Sequence, residues 1–389
     1  MITAILLLVI YMAFISLGLP DAVFGVAWPL IRTEWSMDLR AGGVIAMVTT
    51  LGTVASSLLS GRLIAAFGEG KIAFFSTFMT AAALVGFGLA PHYGWIILLA
   101  VPLGFGAGSV DTALNHFVSK NYKAHHMNWL HACWGIGATA GPLVMSAVLV
   151  QTESWRAGFR TIGYIQLALA AVLLISLPLW RKHQDSSEVE EAETATALTV
   201  MEVFKVRGAP SAMLVFLFYC AGEYAMGLWG ASYLFQFHGI SLQRAAQLVA
   251  LYYGGITAGR LLAGVISFKL NNWQMMKMGF AVAAAGAVLL ISGFLPMPAF
   301  LLIGLGFAPV FPAMVHETPK RFGKQASQTL IGYQFASAYV GIATIPPLIG
   351  VAMSQWGIRL FPFFILLLIF LQWNRASVIK SYKANEQNG

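Results

Sequence analysis

Twelve segments of this 389-residue chain run apolar for about twenty residues, enough for a helix to cross a bilayer's hydrocarbon core. They fall at 4–30, 41–61, 72–90, 94–118, 128–150 and 158–180, then at 209–237, 244–268, 275–294, 297–316, 327–350 and 357–374. This constrains the fold more than any motif. In lipid, every backbone N–H and C=O must be satisfied without water, so isolated spanning segments have to be helices. Composition agrees: only 10% of residues are Asp, Glu, Lys or Arg, against about 25% in soluble domains. So few charges cannot cover a water-facing surface. The expected fold is an all-α membrane protein of twelve transmembrane helices.

One stretch reads as soluble. Residues 181–208 open with Arg181 and Lys182 and then hold Asp185, Glu188, Glu190, Glu191, Glu193 and Glu202. This linker divides the chain into a bundle at 1–180 and a second at 209–374, followed by a tail at 375–389. It is expected to be a connector with room for a surface helix. Of the 23 Lys and Arg residues, sixteen fall on the side that carries the linker and both termini, six on the opposite side, and Arg260 lies inside helix 8. The positive-inside rule then puts both termini in the cytoplasm. The formal charge of +8 therefore reads as topology, not as a nucleic-acid surface. The expected location is the cell inner (plasma) membrane. Cys133 and Cys220 sit in apolar sequence and offer no disulfide framework. Apolar sequence begins at Ile2 without a charged n-region, so the first segment reads as a helix, not a cleaved signal.

The halves echo each other. Asp21 precedes Gly25 in DAVFG of helix 1, and Glu223 precedes Gly227 in EYAMG of helix 7. Leu103-Gly104-Phe105 matches Leu305-Gly306-Phe307, Gly141-Pro142 matches Pro346-Pro347, and Gly52 and Gly61 match Gly255 and Gly264. A duplicated six-plus-six chain is expected to form two pseudo-symmetric bundles with a site between them near mid-membrane.

Three carboxylates lie within predicted helices: Asp21, Asp111 and Glu223. An acid at mid-bilayer costs roughly 2.5–3.5 kcal/mol on insertion scales, so it normally faces a cavity or a partner. Either a neutral, hydrogen-bonded packing acid or a proton carrier fits. A group that gains and loses a proton between two open states would carry it across. Asp111 and Asn115 are four residues apart and share a helical face. Asn128, His131 and Trp134 share another. Amides, a carboxylate and an aromatic ring suit a polyhydroxylated ligand, because amides both donate and accept and a ring can cover a sugar's C–H face. His131 could equally be a satisfied interhelical histidine. Tyr224, Trp229 and Gln334 are candidates for lining the second half of the cavity, with Trp28 and Tyr333 as weaker ones. Arg260 reads as a gate or structural partner. No phosphate-cradling GxxxxGK[ST] loop, HExxH, CxxC or serine elbow is present, so neither an enzyme nor an ATP-driven pump is expected, and no metal or organic cofactor is implied.

The loop after helix 2, Gly61-Arg62-Leu63-Ile64-Ala65-Ala66-Phe67-Gly68-Glu69-Gly70-Lys71, resembles the loop signature of the major facilitator superfamily, with Ala66 near the usual acid and Gly70 in place of one basic residue. Gly61, Arg62 and Gly68 are its gating or structural candidates. The segments GFGAGSVDTALNHFV and MNWLHACWGIGATAGP are similar to those of the fucose and glucose/mannose proton-symporter branch. There Asp111-Thr112-Ala113 stands where relatives usually carry Glu, Asn115 follows by four, Asp21 matches the helix 1 acid and Asn128 the polar face of helix 5. The resemblance implies proton coupling and sugar recognition by Asp21 and Asp111.

The expected function is proton-coupled uptake of a neutral monosaccharide by alternating access. Its partners would be that sugar, protons and membrane lipids, and one chain would suffice. A proton-driven exporter of drugs or amphipathic metabolites, and a sugar receptor without flux, are the alternatives.

Overall fold

The computed structural model describes residues 2–122, 124–184 and 200–381. Among the described residues, twelve helices long and apolar enough to cross a membrane follow one another along the chain. They are helix 1 (Ile5–Glu34), helix 2 (Ala41–Phe67), helix 3 (Glu69–Phe87), helix 4 (Tyr93–Val118), helix 5 (Trp129–Thr152), helix 6 (Trp155–Trp180), helix 7 (Ala209–His238), helix 8 (Leu242–Ile266), helix 9 (Asn272–Ser292), helix 10 (Pro296–Gly323), helix 11 (Thr329–Trp356) and helix 12 (Ile358–Ser381). Among the described residues there is no strand. Several boundaries move from those expected: helix 3 begins at Glu69, and helices 2, 10, 11 and 12 run on to Phe67, Gly323, Trp356 and Ser381. Lys380 in the last turn of helix 12 is a charge that a helix C-terminus favours. A short helix, Val200–Lys205, lies in the linker. The acidic run 185–193 lies outside the described residues.

The bundle is held by close backbone approach, which removes the need for large buried side chains at the crossings. A Cβ on Gly52 would come within 2.9 Å of the Val101 carbonyl, and one on Gly255 within 3.0 Å of that of Leu301. Gly104 presses on the Thr49 carbonyl and Gly304 on that of Tyr252. Gly106 meets Ser76 and Thr80, while Gly306 meets Gly279 and Ala283. The two halves therefore repeat the same helix 2–4 and helix 3–4 crossings as helix 8–10 and 9–10. The register pairs Gly104 with Gly304 and Gly106 with Gly306. This corrects the sequence echo of Gly104 with Gly306, since LGF matched letters while the contacts follow glycines two residues away.

The halves meet along helices 1 and 7, 2 and 11, and 5 and 8. On the face away from the termini this seam is tight. Arg32 donates to Gln236 at 3.0 Å, Ser146 to the Gln243 carbonyl at 3.1 Å, and Ser354 to Asp38 at 2.6 Å. Gly25 packs against Gly227, and Gly43 against Pro347. Toward the face that carries the termini, Cβ atoms on Gly61, Gly264 and Gly332 would meet nothing within 4 Å. The seam is thus closed at the far face and parted at the terminal face.

Candidate functional site

Helix 1 is interrupted where the site begins. One helical stretch ends at Gly18 and the next starts at Val23. Pro20 has no N–H to continue the ladder, and the residue before a proline is pushed away from helical geometry. The chain crosses the gap in tight turns, Asp21 N–H to the Gly18 carbonyl and Val23 N–H to that of Pro20, both 3.2 Å. Asp21 therefore leaves the helix surface at an angle that an unbroken helix would not offer. Helix 5 can come close because it presents glycines: Cβ atoms on Gly137 and Gly141 would strike the Ile15 and Leu19 carbonyls.

That approach brings the Trp134 indole N–H to Asp21 Oδ2 at 2.6 Å. Hydrogen bonds to a charged group contribute about 1.5–3 kcal/mol. The face of the same indole carries the Arg260 guanidinium, 5.2 Å from the ring centroid. A contact of this kind is worth about 0.5–2 kcal/mol. Tyr253 meets the ring edge-on at 6.2 Å. Arg260 in turn faces Glu223, with Nη2 3.9 Å from Oε2; the two side chains are 20% and 14% exposed. The Tyr219 hydroxyl stands beside both without a well-aligned hydrogen bond to either. Tyr252 donates to the Glu223 backbone carbonyl at 3.3 Å. Asp21, Trp134, Arg260 and Glu223 thus form one chain of contacts across the seam.

Asp111 sits on helix 4 with a different partner. The Asn115 amide donates to its Oδ1 and to its backbone carbonyl, both at 2.9 Å. Tyr339 reaches over from helix 11 to lie beside Ser57 and within electrostatic range of Asp111. Tyr224 is within electrostatic range of Asp21. His131, one turn from Trp134 toward the parted face, packs edge-on to Phe14 at 5.6 Å and is open to the space between the halves.

Three expected lining residues are elsewhere. Trp229 is fully buried, its indole N–H on the Pro346 carbonyl at 2.8 Å and its ring against Gly350. Gln334 is fully buried and exchanges hydrogen bonds with Thr318 of helix 10 at 3.0 and 3.2 Å. Trp28 is buried over Gly42 and donates to the Leu39 carbonyl. In each case a polar tip that looked available to a ligand is satisfied inside one half or at the closed end. The side chain of Asn128 lies outside the described residues. Of the loop candidates, Gly61 and Arg62 are exposed, and Gly68 adopts φ 78°, where a side chain would be strained. Glu69, which follows it, is buried and lies 3.1 Å from His116 Nδ1 on helix 4. The second half carries the reverse arrangement: Glu317 of helix 10 accepts from Asn272 and Trp273 at the start of helix 9, at 2.7 and 2.8 Å. Tyr219, Tyr252, Tyr253 and Tyr339 escaped the sequence reading. Each sits in an apolar run, and only the LYYGG pairing of Tyr252-Tyr253 with the packing glycines hints that they face another helix.

Among the described residues no group of His, Cys, Asp and Glu could hold a metal ion. What the described residues of the seam offer is three carboxylates, one guanidinium, an imidazole and the Asn115 amide around a space open to one face. The family profile described as Major Facilitator Superfamily matches residues 6–346. The chain belongs to this superfamily. The chain is similar, at low identity, to several named transport proteins. A glucose/mannose transporter, GlcP of Bacillus subtilis, is 24% identical over 89% of this chain and 87% of its own. A cis,cis-muconate transport protein of Acinetobacter baylyi is 22% identical over 85% and 83%. A putative glucose/galactose transporter of Helicobacter pylori is 24% identical over 70% of each. The fold is shared with a point mutant of the nucleoside transporter NupG, TM-score 0.78 at 13% identity, covering 98% of this chain and 99% of that one. It is also shared with a bacterial homologue of the human lysosomal transporter Spinster in an inward-facing, unoccupied conformation, TM-score 0.74 at 13% identity over 97% and 98%. This chain is a Major Facilitator Superfamily transporter.

Proposed function

We propose that the chain takes up a neutral monosaccharide together with protons, with both termini in the cytoplasm. The observation that carries this reading is the charge balance at the seam. Asp21, Asp111 and Glu223 face one another's space with Arg260 as the counter-charge within it, and Arg260 is already opposite Glu223. Asp21 and Asp111 are held instead by neutral donors, Trp134 and Asn115. An indole or amide N–H can donate to a carboxyl oxygen whether or not the acid holds a proton. Removal of an acid from water favours its protonated form, so such a pair suits an acid that changes state during a cycle. An anionic substrate would meet repulsion whenever Asp21 or Asp111 is ionised, because Arg260 is already opposite Glu223. A sugar would find hydroxyl partners in Asn115 and His131 and aromatic faces in Trp134 and Tyr224. The names of the Bacillus and Helicobacter relatives point the same way.

Alternating access then follows from rocking of the halves about the closed far face. The substrate leaves through the parted terminal face, and the far face opens when the terminal face closes. Proton and sugar occupancy each bias that equilibrium, and by linkage each biases the binding of the other.

The test is uptake by the purified protein in liposomes with labelled D-glucose, D-mannose, D-galactose and L-fucose, with and without an inward proton gradient. Gradient-driven accumulation of one sugar, lost in D111N while equilibrium exchange survives, is the expected result. Flux indifferent to pH would remove proton coupling. A second reading rests on Arg260, which borders the parted mouth and could receive a carboxylate in place of Glu223; the muconate relative favours it. Adding cis,cis-muconate to the panel decides between them, since accumulation of muconate but of no sugar would replace the first reading with the second.

A further inference from the structure

Trp134 makes two contacts, one at its edge and one on a ring face, that offering a face to a sugar does not by itself explain. Its backbone is fixed on one side by helix 1, where a Cβ on Gly18 would collide with the Trp134 carbonyl oxygen. Its neighbour Gly135 is fixed on the other side by helix 8, where a Cβ would collide with Thr257 Oγ1. The ring is thus placed to use its edge and its face on different halves of the molecule. The edge N–H holds Asp21 of helix 1. The face holds Arg260 of helix 8, the partner of Glu223.

Depth along the seam gives this contact its meaning. On helix 8, Thr257 is packed against helix 5, whereas Gly264 faces open space. Arg260 lies between them, where the halves begin to part. Asp21 and Trp134 belong to the same half and move together. Arg260 belongs to the other half, so any rocking slides the guanidinium over the indole while the N–H bond stays made. A planar cation on a ring face polarises the ring and draws on its N–H edge. The strength of the bond to Asp21 then depends on where Arg260 is.

We propose that Trp134 is a positioning residue that transmits the placement of Arg260 in the second half to the proton affinity of Asp21 in the first. This rests on the reading of Asp21 as a proton-exchanging acid. The charged and titratable groups within range of Asp21 are Glu223 and Tyr224 on helix 7, Tyr253 on helix 8, Asp111 on helix 4 and Tyr339 on helix 11. Arg260 reaches it through the ring. Direct charge effects from these groups do not pass through Trp134, and the experiment has to separate the two routes.

The full chain in lipid nanodiscs is titrated by infrared difference spectroscopy, and the Asp21 carboxyl band is assigned by its loss in D21N. R260K keeps the positive charge beside Glu223 but removes the planar face-on contact. In the wild-type background R260K is expected to change the Asp21 proton affinity by about threefold, the size of a partly exposed cation–ring contact. In W134F, which lacks the N–H, that change is expected to vanish. W134Q, which keeps an N–H donor without a ring face, provides the second background if W134F does not fold, and the change is expected to vanish there too. A R260K effect of equal size with and without the indole overturns the proposal while leaving proton exchange at Asp21 standing. An Asp21 band that never titrates removes both.

Discussion

Two kinds of residue looked alike in the sequence and part company by what satisfies them. Arg260 and Glu223 are a mostly buried pair, and removing one member leaves an uncompensated charge, a loss of about 3–5 kcal/mol. E223Q and R260Q are each expected to lower the melting temperature in detergent well below that of the E223Q/R260Q double variant, because the double variant leaves no lone charge. A loss in the double variant equal to the sum of the two single losses would mean the pair does not interact. Trp229 resembles Trp134 in sequence but is enclosed in helix 7–helix 11 packing. W229A is expected to destabilise by about 3 kcal/mol or more, as large-to-small changes in packed interiors do, while leaving the apparent KM for the transported sugar within the scatter of wild type. A large KM change with unaltered melting would place Trp229 at the substrate after all.

At the scale of the element, glycines decide where helices can touch and therefore which contacts are fixed and which slide. Gly25 is in contact across the seam, where a Cβ would collide with the Gly227 carbonyl oxygen, while Gly61 has open space. G25L is accordingly expected to wedge the far face apart, and G61A to be neutral. Labelling of a cysteine introduced at Ser354 by an impermeant maleimide should be faster in G25L than in the parent and unchanged in G61A. Identical rates in G25L would show that helices 1 and 7 separate freely at that level. The paired elements Glu69–His116 and Glu317–Asn272/Trp273 make a related point. Each bundle ties helix 3 or 9 to helix 4 or 10 at the terminal face with a buried acid, but the acid is on helix 3 in the first half and on helix 10 in the second. The two halves share the contact but place its acid on different helices.

For the whole molecule the far-face closure is the feature most open to direct test. Asp38 accepts from the Ser354 hydroxyl and from the Arg40 backbone N–H, at 2.6 and 2.9 Å. The Ser354 bond first, then that of Arg40, hold its carboxyl below the ordinary value of 3.8. A lowered value means that the closed face gains from ionised Asp38 at any pH above the usual carboxylate range and loses that gain only as pH falls through the lowered value. The contribution of Asp38 to closure should therefore be indifferent to pH around neutrality, and any pH dependence of transport there arises from other groups. D38N should remove the gain at every pH. A D38C/S354C pair should form a disulfide that stops transport and is reversed by reductant; continued transport in the oxidised pair would rule out far-face opening as a step in the cycle.

The number of helices, the division into halves and the side on which basic residues gather were legible in the sequence because they depend on local composition measured against the bilayer. Asp21, Asp111 and Glu223 were legible as well, since a carboxylate in an apolar run is conspicuous wherever the run is placed. The break in helix 1 could be read at Pro20, but not the partner that fills it. Which aromatic faces the seam and which is sealed in packing was decided by the tertiary structure alone. Trp134, Trp229 and Trp28 carry the same side chain in similar glycine-rich company, and each indole N–H takes the nearest acceptor that close helix approach supplies: a carboxylate, the Pro346 carbonyl and the Leu39 carbonyl. Acceptors more than a hundred residues away, or around a loop, leave no local mark. The same holds for Arg260, whose two neighbours come from helices 5 and 7 and meet only because glycine lets three backbones approach.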